Sequence, residues 1–392
     1  MSKYDNYTPT ELLRELSLAF GPSGCEGNVA DIIKEFIAPY ADEVTSDRLG
    51  TVIAVYRRAE DCVRSADPDE EPVTKEGKPE IDKLMFAAHM DEVGFMIKSI
   101  DGDGYLKIAA LSGRDPKTLA GRNVTVGDET KQYKGYFGVK PAHLGGSGNF
   151  DSLYIDIGAK NKEDAEKMVA PGDFGTYRSD FVRFGPDGAY LKGKAIDDRL
   201  GCTVLCMLLK RLREENVKLP YDVYFCFTVR EEIGSSGAQT AANKIQPDMG
   251  IVIEATAVDA TKGEKYGSVA KQGMGGCISF MDRSTIYDRE TYDFVLATAK
   301  KWGIPAQHTY DSICLLKNTH VFVHIYSAHI CAYIHSIDVC ASLTCFQAFS
   351  ITNTSLLTGK HSGLGIHELQ LLLPFLALVM SFSFSVPQCS HL

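Results

Sequence analysis

Apolar residues recur at two different periods along the first three hundred positions. Residues 9–20 (PTELLRELSLAF) carry them at helical spacing behind a Thr cap candidate, and NVADIIKEFIAPYA predicts a second helix after a Gly-rich turn, GPSGCEG. TVIAVYR and KLMFAAHM are continuous β-branched or apolar runs bounded by polar residues, which predicts buried strands. Between them, DPDEEPVTKEGKPEID is a solvated excursion. From GFMIKSI to about residue 189 the runs shorten and crowd together: YLKIAAL, NVTVG, YKGYFGV, SLYIDIG and FGTYRSD. Such spacing predicts a small β-barrel inserted into the main unit. Strand and helix then alternate again through KAIDDRLGCTVLCMLLKRLRE, YDVYFCFTV, GIVIEAT and the helix TYDFVLATAKKWG. The fold class that results is α/β with an all-β insert.

A length of 392 residues suits two or three domains, and 44% hydrophobic with 23% charged residues excludes a disordered or fibrous chain. The formal charge of −10, with no basic block, makes nucleic acid an unexpected partner. No apolar leader opens the chain, and its eleven cysteines include no C-x2-C pair. Neither a disulfide scaffold nor a zinc finger is predicted, and a cytoplasmic location is expected.

The composition breaks sharply near residue 303. Residues 1–303 hold 87 of the 92 charged residues but only two histidines, His89 and His143. Residues 304–392 hold the other five charges, eight histidines and five cysteines. The run THVFVHIYSAHICAYIHSIDVC uses the few residue types that alternating purine–pyrimidine codons supply, so the tail is expected to be wholly or partly a frame artefact. Further on, LQLLLPFLALVMSFSFSVP has about the length of a membrane helix, but Pro374 interrupts it and no Lys or Arg flanks it. A tail anchor is the functional reading and a meaningless apolar run the plain one. Membrane attachment is not expected.

Acids and a histidine gather where apolar runs end. KLMFAAHMDEVG delivers His89 and Asp91 to one face of a strand. A carboxylate placed there can take one ring N–H and free the other nitrogen for a metal, although a His satisfied by its neighbours is the commoner outcome. Asp197 and Asp198 in GKAIDDRLGC stand at a strand-to-helix turn, where buried carboxylates repel unless a divalent cation relieves them. The alternative is that one caps the helix while Arg199 pairs with the other. Glu231 and Glu232 follow FCFTV directly, at the strand end where open α/β sheets place their active sites. One of such a pair can ligate a metal while the other takes a proton from water. Glu254 closes the run MGIVIEAT. One imidazole and several carboxylates, with no thiol, describe a mixed site suited to zinc, cobalt or manganese.

Taken in order and at their intervals, AHMDEVGFM, GKAIDDRLGC, TVREEIGSSGA, IVIEAT and SFMDRSTIYDRE resemble the M42 metallo-aminopeptidases, the glutamyl or TET-type enzymes. The resemblance spans residues 9–307 and extends to YIDIGA, KPAHL and GIPAQ. It implies a mixed sheet flanked by helices in a catalytic domain of residues 1–97 and 190–307, reaching to residue 350 if the tail is authentic. Residues 98–189 would form a barrel domain that drives homo-oligomers from dimer to dodecamer, and 308–392 the aberrant or divergent tail. It further implies two divalent ions, zinc or cobalt, with manganese also suited. Carried over, Asp197 bridges the ions, His89 and Glu254 complete one shell, Glu232 binds the other, Glu231 is the general base and Asp91 orients His89. The reaction implied is removal of N-terminal residues from peptide substrates. Family members often have Asp where this chain has Glu254.

The likeness weakens after GIPAQ, where a Gly-Gly segment of the family pattern is missing. CAYIHS then puts His335 in a matching local context for the last metal ligand, but inside the repeat-like run. Two other readings stand beside the peptidase. One is an inactive paralogue serving as an assembly or binding subunit; the other is an M20-like carboxypeptidase or deacylase with a similar dimetal core.

Overall fold

The computed structural model describes residues 3–4, 6–59, 82–113, 115–144, 152–219, 221–256, 275–281, 286–309 and 343–349. Helices α1 (Pro9–Leu18) and α2 (Gly27–Ile37) lead into strands β1 (Glu43–Ser46), β2 (Val52–Tyr56) and β3 (Lys83–His89). Strands β4 (Gly94–Ile100), β5 (Leu106–Leu111), β6 (Asn123–Gly127), β7 (Gln132–Val139) and β8 (Leu153–Asp156) follow, then the short α3 (Lys162–Ala165) and β9 (Phe174–Tyr177). A hairpin, β10 (Val182–Phe184) and β11 (Tyr190–Lys192), precedes the long α4 (Ile196–Glu214). Next come β12 (Asp222–Thr228), α5 (Ser236–Ile245), β13 (Met249–Thr256), β14 (Gly276–Ser279), α6 (Arg289–Lys301), β15 (Ala306–Thr309) and β16 (Leu343–Phe349).

Helix α1 begins at Pro9 with Thr8 as its N-cap, immediately ahead of the predicted segment, and the local chemistry explains why. The Thr8 hydroxyl accepts the Glu11 N–H at 3.3 Å while the Glu11 carboxylate accepts the Thr8 N–H at 2.7 Å, and Pro9 fills the first turn. Leu12, Leu13 and Leu16 on its inner face are buried.

The main sheet runs β1-β2-β12-β3-β13-β16. β3 pairs parallel with β12 and β13, whereas β2 and β16 join antiparallel. Strand β3 buries both faces, which is why its sequence does not alternate. Leu84, Phe86 and Ala88 pack in the large core with Leu205, Leu208 and Leu209 of α4. Met85 and Ala87 face the other way, onto Ala238, Ala241 and Ile245 of α5. The sheet is therefore sandwiched between helices, as an α/β chain requires.

Strands β4-β5-β8-β7-β6-β9 close into a barrel between Gly94 and Tyr177. Phe95, Val124, Val126, Phe137, Leu153 and Ile155 fill it, with the Phe95 and Phe137 rings 5.4 Å apart. Gly175 is obligatory there, because a Cβ would lie 2.1 Å from the Phe95 ring. Among the described residues no helix is long and apolar enough to cross a membrane. The apolar segment 369–387 and most of residues 308–392 lie outside the described residues.

Candidate active site

Three neighbouring strands bring their carboxyl ends together. β12 lies parallel to β3 with Thr228 opposite His89. β13 lies on the other side with Val252 opposite Ala87, so two residues on Glu254 comes level with His89. Across this edge runs the start of α4, where Asp197 and Asp198, joined by a cis peptide bond, have non-helical backbones. Asp198 is fully buried; its Oδ1 accepts the Gly201 N–H at 2.9 Å and its Oδ2 the His89 N–H at 3.3 Å. Gly201 leaves space for that carboxylate, since a Cβ would stand 2.4 Å from it. One aspartate thus caps the helix, but Arg199 does not pair with the other as the alternative had it. Its guanidinium donates to the carbonyls of Leu16 at 2.6 Å and Gly21 at 3.1 Å, and lies 3.6 Å from Glu92.

The cluster centres on a buried imidazole. His89 Nε2 lies 2.9 Å from Asp197 Oδ1 and 3.2 Å from Glu254 Oε1. A nitrogen and two carboxylate oxygens from these residues all fall within 4.8 Å of one another. On the far edge of the ring, Nδ1 is 3.4 Å from Asp91 Oδ1 and 3.1 Å from the Asp91 carbonyl. Asp91 does more than sequence reasoning gave it. Its carboxylate also accepts the N–H groups of Glu231 at 2.9 Å and Glu232 at 3.1 Å, and the Ser23 hydroxyl at 2.6 Å. It therefore ties the histidine strand to the acid-bearing turn. Glu232 stands outside the three-residue group, its Oε2 accepting the Ser112 hydroxyl at 2.8 Å. Glu231 Oε1 accepts the Ser235 hydroxyl at 3.2 Å. His335 lies outside the described residues.

So many buried acids distort one another's titration. Burial above all lifts Glu231, Glu232 and Glu254 to about 8; His89 pulls each of them down, and repulsion from the neighbouring acids pushes them up. Burial alone would lower His89, but Glu254, Asp197 and Asp91 around it drive it well above its ordinary value. Asp91 moves the other way: burial opposes ionisation, but His89, the Ser23 hydroxyl and the Glu231 N–H outweigh it. An imidazole crowded by carboxylates, with repulsion left over, is the donor chemistry a hard or borderline divalent cation satisfies. The buried thiol of Cys202 does not join it: its Sγ points to the His89 carbonyl at 3.2 Å.

Comparison with known proteins decides the family. The model of the M42 glutamyl aminopeptidases matches residues 72–345. This chain belongs to that family. M42 peptidases are metal-dependent hydrolases, and the His89–Asp197–Glu254 group is the candidate metal site of this member. A putative aminopeptidase of Acetivibrio thermocellus is 34% identical over 301 residues, 76% of this chain and 81% of that one. The TET aminopeptidase of the marine sediment archaeon Thaumarchaeota archaeon SCGC AB-539-E09 superposes with a TM-score of 0.72 at 28% identity, covering 96% of this chain and 97% of that one. The TET1 peptidase of Pyrococcus horikoshii, which can assemble into a tetrahedron or a large octahedral shell, gives 0.69 at 25% identity over 95% and 99%.

Within this M42 member several supporting residues escaped sequence reasoning. Glu92, beside Asp91, is buried in an ion pair with Lys194, whose Nζ also donates to the Ala19 carbonyl at 2.8 Å. Ser23 and Ser112 hold Asp91 and Glu232 through their hydroxyls. The only available signal was position: Ser23 lies in GPSGCEG and Glu92 follows the Asp91 motif.

Proposed function

We propose that this M42 aminopeptidase removes single residues from the N-termini of peptides with the help of two divalent cations, zinc, cobalt or manganese by the chemistry of the donors. The observation that carries the reading is the buried imidazole flanked by Asp197 and Glu254 at 2.9 and 3.2 Å, beside a turn bearing two further acids. Asp197 would lie between the ions, with His89 and Glu254 holding one, Glu232 the other, and His335 the candidate for its remaining protein ligand. When bound, the cations supply positive charge that polarises the scissile carbonyl and acidifies water. Glu231, which is not assigned as a ligand, accepts a proton from the attacking water on its carboxylate and returns it to the departing amine. Asp91 fixes both the His89 ring and the backbone of Glu231, so that base and ligand keep a constant separation. Peptides would reach the site with a free amine, and the Gly94–Tyr177 barrel would be the surface through which copies of the chain assemble, as a dimer or a larger shell.

The test uses the full chain after chelation, titrated with zinc or cobalt against aminoacyl chromogenic substrates and against free and N-acylated peptides. Metal-restored release from free amines alone supports the reading. No release at any metal concentration points to an assembly subunit, and release from acylated peptides points to an M20-like deacylase.

A further inference from the structure

The GPSGCEG turn holds Asp91 through Ser23, and a second residue of the same turn reaches the acid-bearing turn directly. Glu26 sits at the N-cap of α2 but makes no side-chain cap to that helix. It reaches instead across the fold: its Oε1 accepts the Gly24 N–H at 2.7 Å and the Arg230 N–H at 3.1 Å, and the residue is 5% exposed. Asp91 takes the next two amides, those of Glu231 and Glu232. Three successive backbone N–H groups are therefore gripped by two buried carboxylates. A grip is needed at this point, because Arg230 holds a φ of +57°, a left-handed conformation that side chains other than glycine seldom adopt unaided.

The turn that delivers Glu26 is itself tied to the histidine strand. Glu92 N–H donates to the Gly21 carbonyl at 3.0 Å, Ser23 N–H to the Glu92 carbonyl at 3.3 Å, and the Ser23 hydroxyl to Asp91. A Cβ at Gly21 would meet the Arg199 guanidinium at 2.7 Å, and Gly24 needs its φ of +89° to turn its own amide onto Glu26.

We infer that Glu26 is a positioning residue for the proposed reaction: by holding the Arg230 amide it sets where the Glu231 carboxylate stands. The Gly21–Gly27 turn is on this view part of the catalytic apparatus and not merely a connection between helices. This inference rests on the aminopeptidase reading and names a role for a residue two hundred positions away from the base it serves.

The experiment compares the full-length wild type with Glu26→Ala, Glu26→Asp and Glu26→Gln. Each is assayed for kcat and KM on an aminoacyl chromogenic substrate, for metal content, and for amide exchange in the 229–233 segment. Gln keeps an acceptor oxygen at the right reach; Asp keeps the charge but withdraws the oxygen by one methylene; Ala removes it. Since a displacement of about 1 Å can cost about 100-fold in rate, Ala and Asp are expected to lose 10- to 100-fold in kcat. Their KM and metal content should stay near wild type while exchange at 229–233 quickens, and Gln should restore both kcat and protection. Should Ala fail to fold, the contrast between Asp and Gln carries the same test. Wild-type kcat in Ala or Asp, or equal losses in Gln and Asp, overturns the inference. If the wild type releases no residue at all, the functional reading falls, and unchanged exchange in Ala or Asp would separately remove the grip.

Discussion

Glu231 is the residue at which chemistry and structure separate most cleanly. Its N–H is held by Asp91 and its Oε1 by Ser235, so replacing the carboxylate with an amide leaves its anchoring intact. Glu231→Gln should lower kcat by at least about 100-fold, the usual worth of a general base, while metal content measured by mass spectrometry stays near wild type. Asp197→Ala should do the reverse in kind, losing bound metal and, with it, activity. Glu26 offers a pH signature. Burial, then Asp91, raises it from 4.5 to about 7, so the folded chain holds a proton that the unfolded chain releases across that interval. The resulting stability is complete below pH 4.5 and gone above pH 7. In the metal-free protein Glu26→Gln should erase that slope, leaving the variant about 3 kcal/mol more stable than wild type above pH 7 and level with it below 4.5 in urea melts.

At the scale of elements, the start of α4 acts as a bolt between the sheet edge and α1. Arg199 is fully buried, donates to the Leu16 and Gly21 carbonyls and faces Glu92. Arg199→Met leaves those acceptors unmet and removes one of the two cations facing Glu92. It should destabilise the protein by about 3 kcal/mol in denaturant melts. This network was invisible in the sequence, where Arg199 suggested a partner for an adjacent aspartate. The strands and helices themselves were legible, because the helices repeat apolar residues at helical spacing and the core strands, buried on both faces, read as continuous apolar runs. The barrel was legible from the spacing of YLKIAAL, NVTVG, YKGYFGV, SLYIDIG and FGTYRSD. His89, Asp197 and Glu254 were legible too, since charged groups directly after apolar runs stand out. Glu26, Ser23 and the double role of Asp91 were not. Each acts by accepting backbone or hydroxyl protons, a task that leaves no pattern of residue types, and sheet order, which sets β12 between β2 and β3, is decided by packing alone.

Over the whole molecule, the barrel makes polar contacts with the α/β unit both at the candidate site and at the start of α2. Ser112, just after β5, donates to Glu232, and Glu129, in the β6–β7 connection, accepts the Gly27 N–H at 2.8 Å. Ser112→Ala should weaken metal binding at the Glu232 position by 10- to 100-fold in a competition with a chromogenic chelator, the typical cost of losing a hydrogen bond to a ligand. Equal affinity in the variant would show that the barrel does not influence the site. Removing metal altogether should lower the melting temperature, because binding at a thousandfold excess over Kd is worth about 4 kcal/mol to the folded state.

His89, Asp197 and Glu254 lie more than a hundred and fifty positions apart from first to last, and they converge only when β13 docks beside β3. A chain emerging from the ribosome therefore cannot assemble this candidate metal site until residue 254 has been made and most of the core has closed around it.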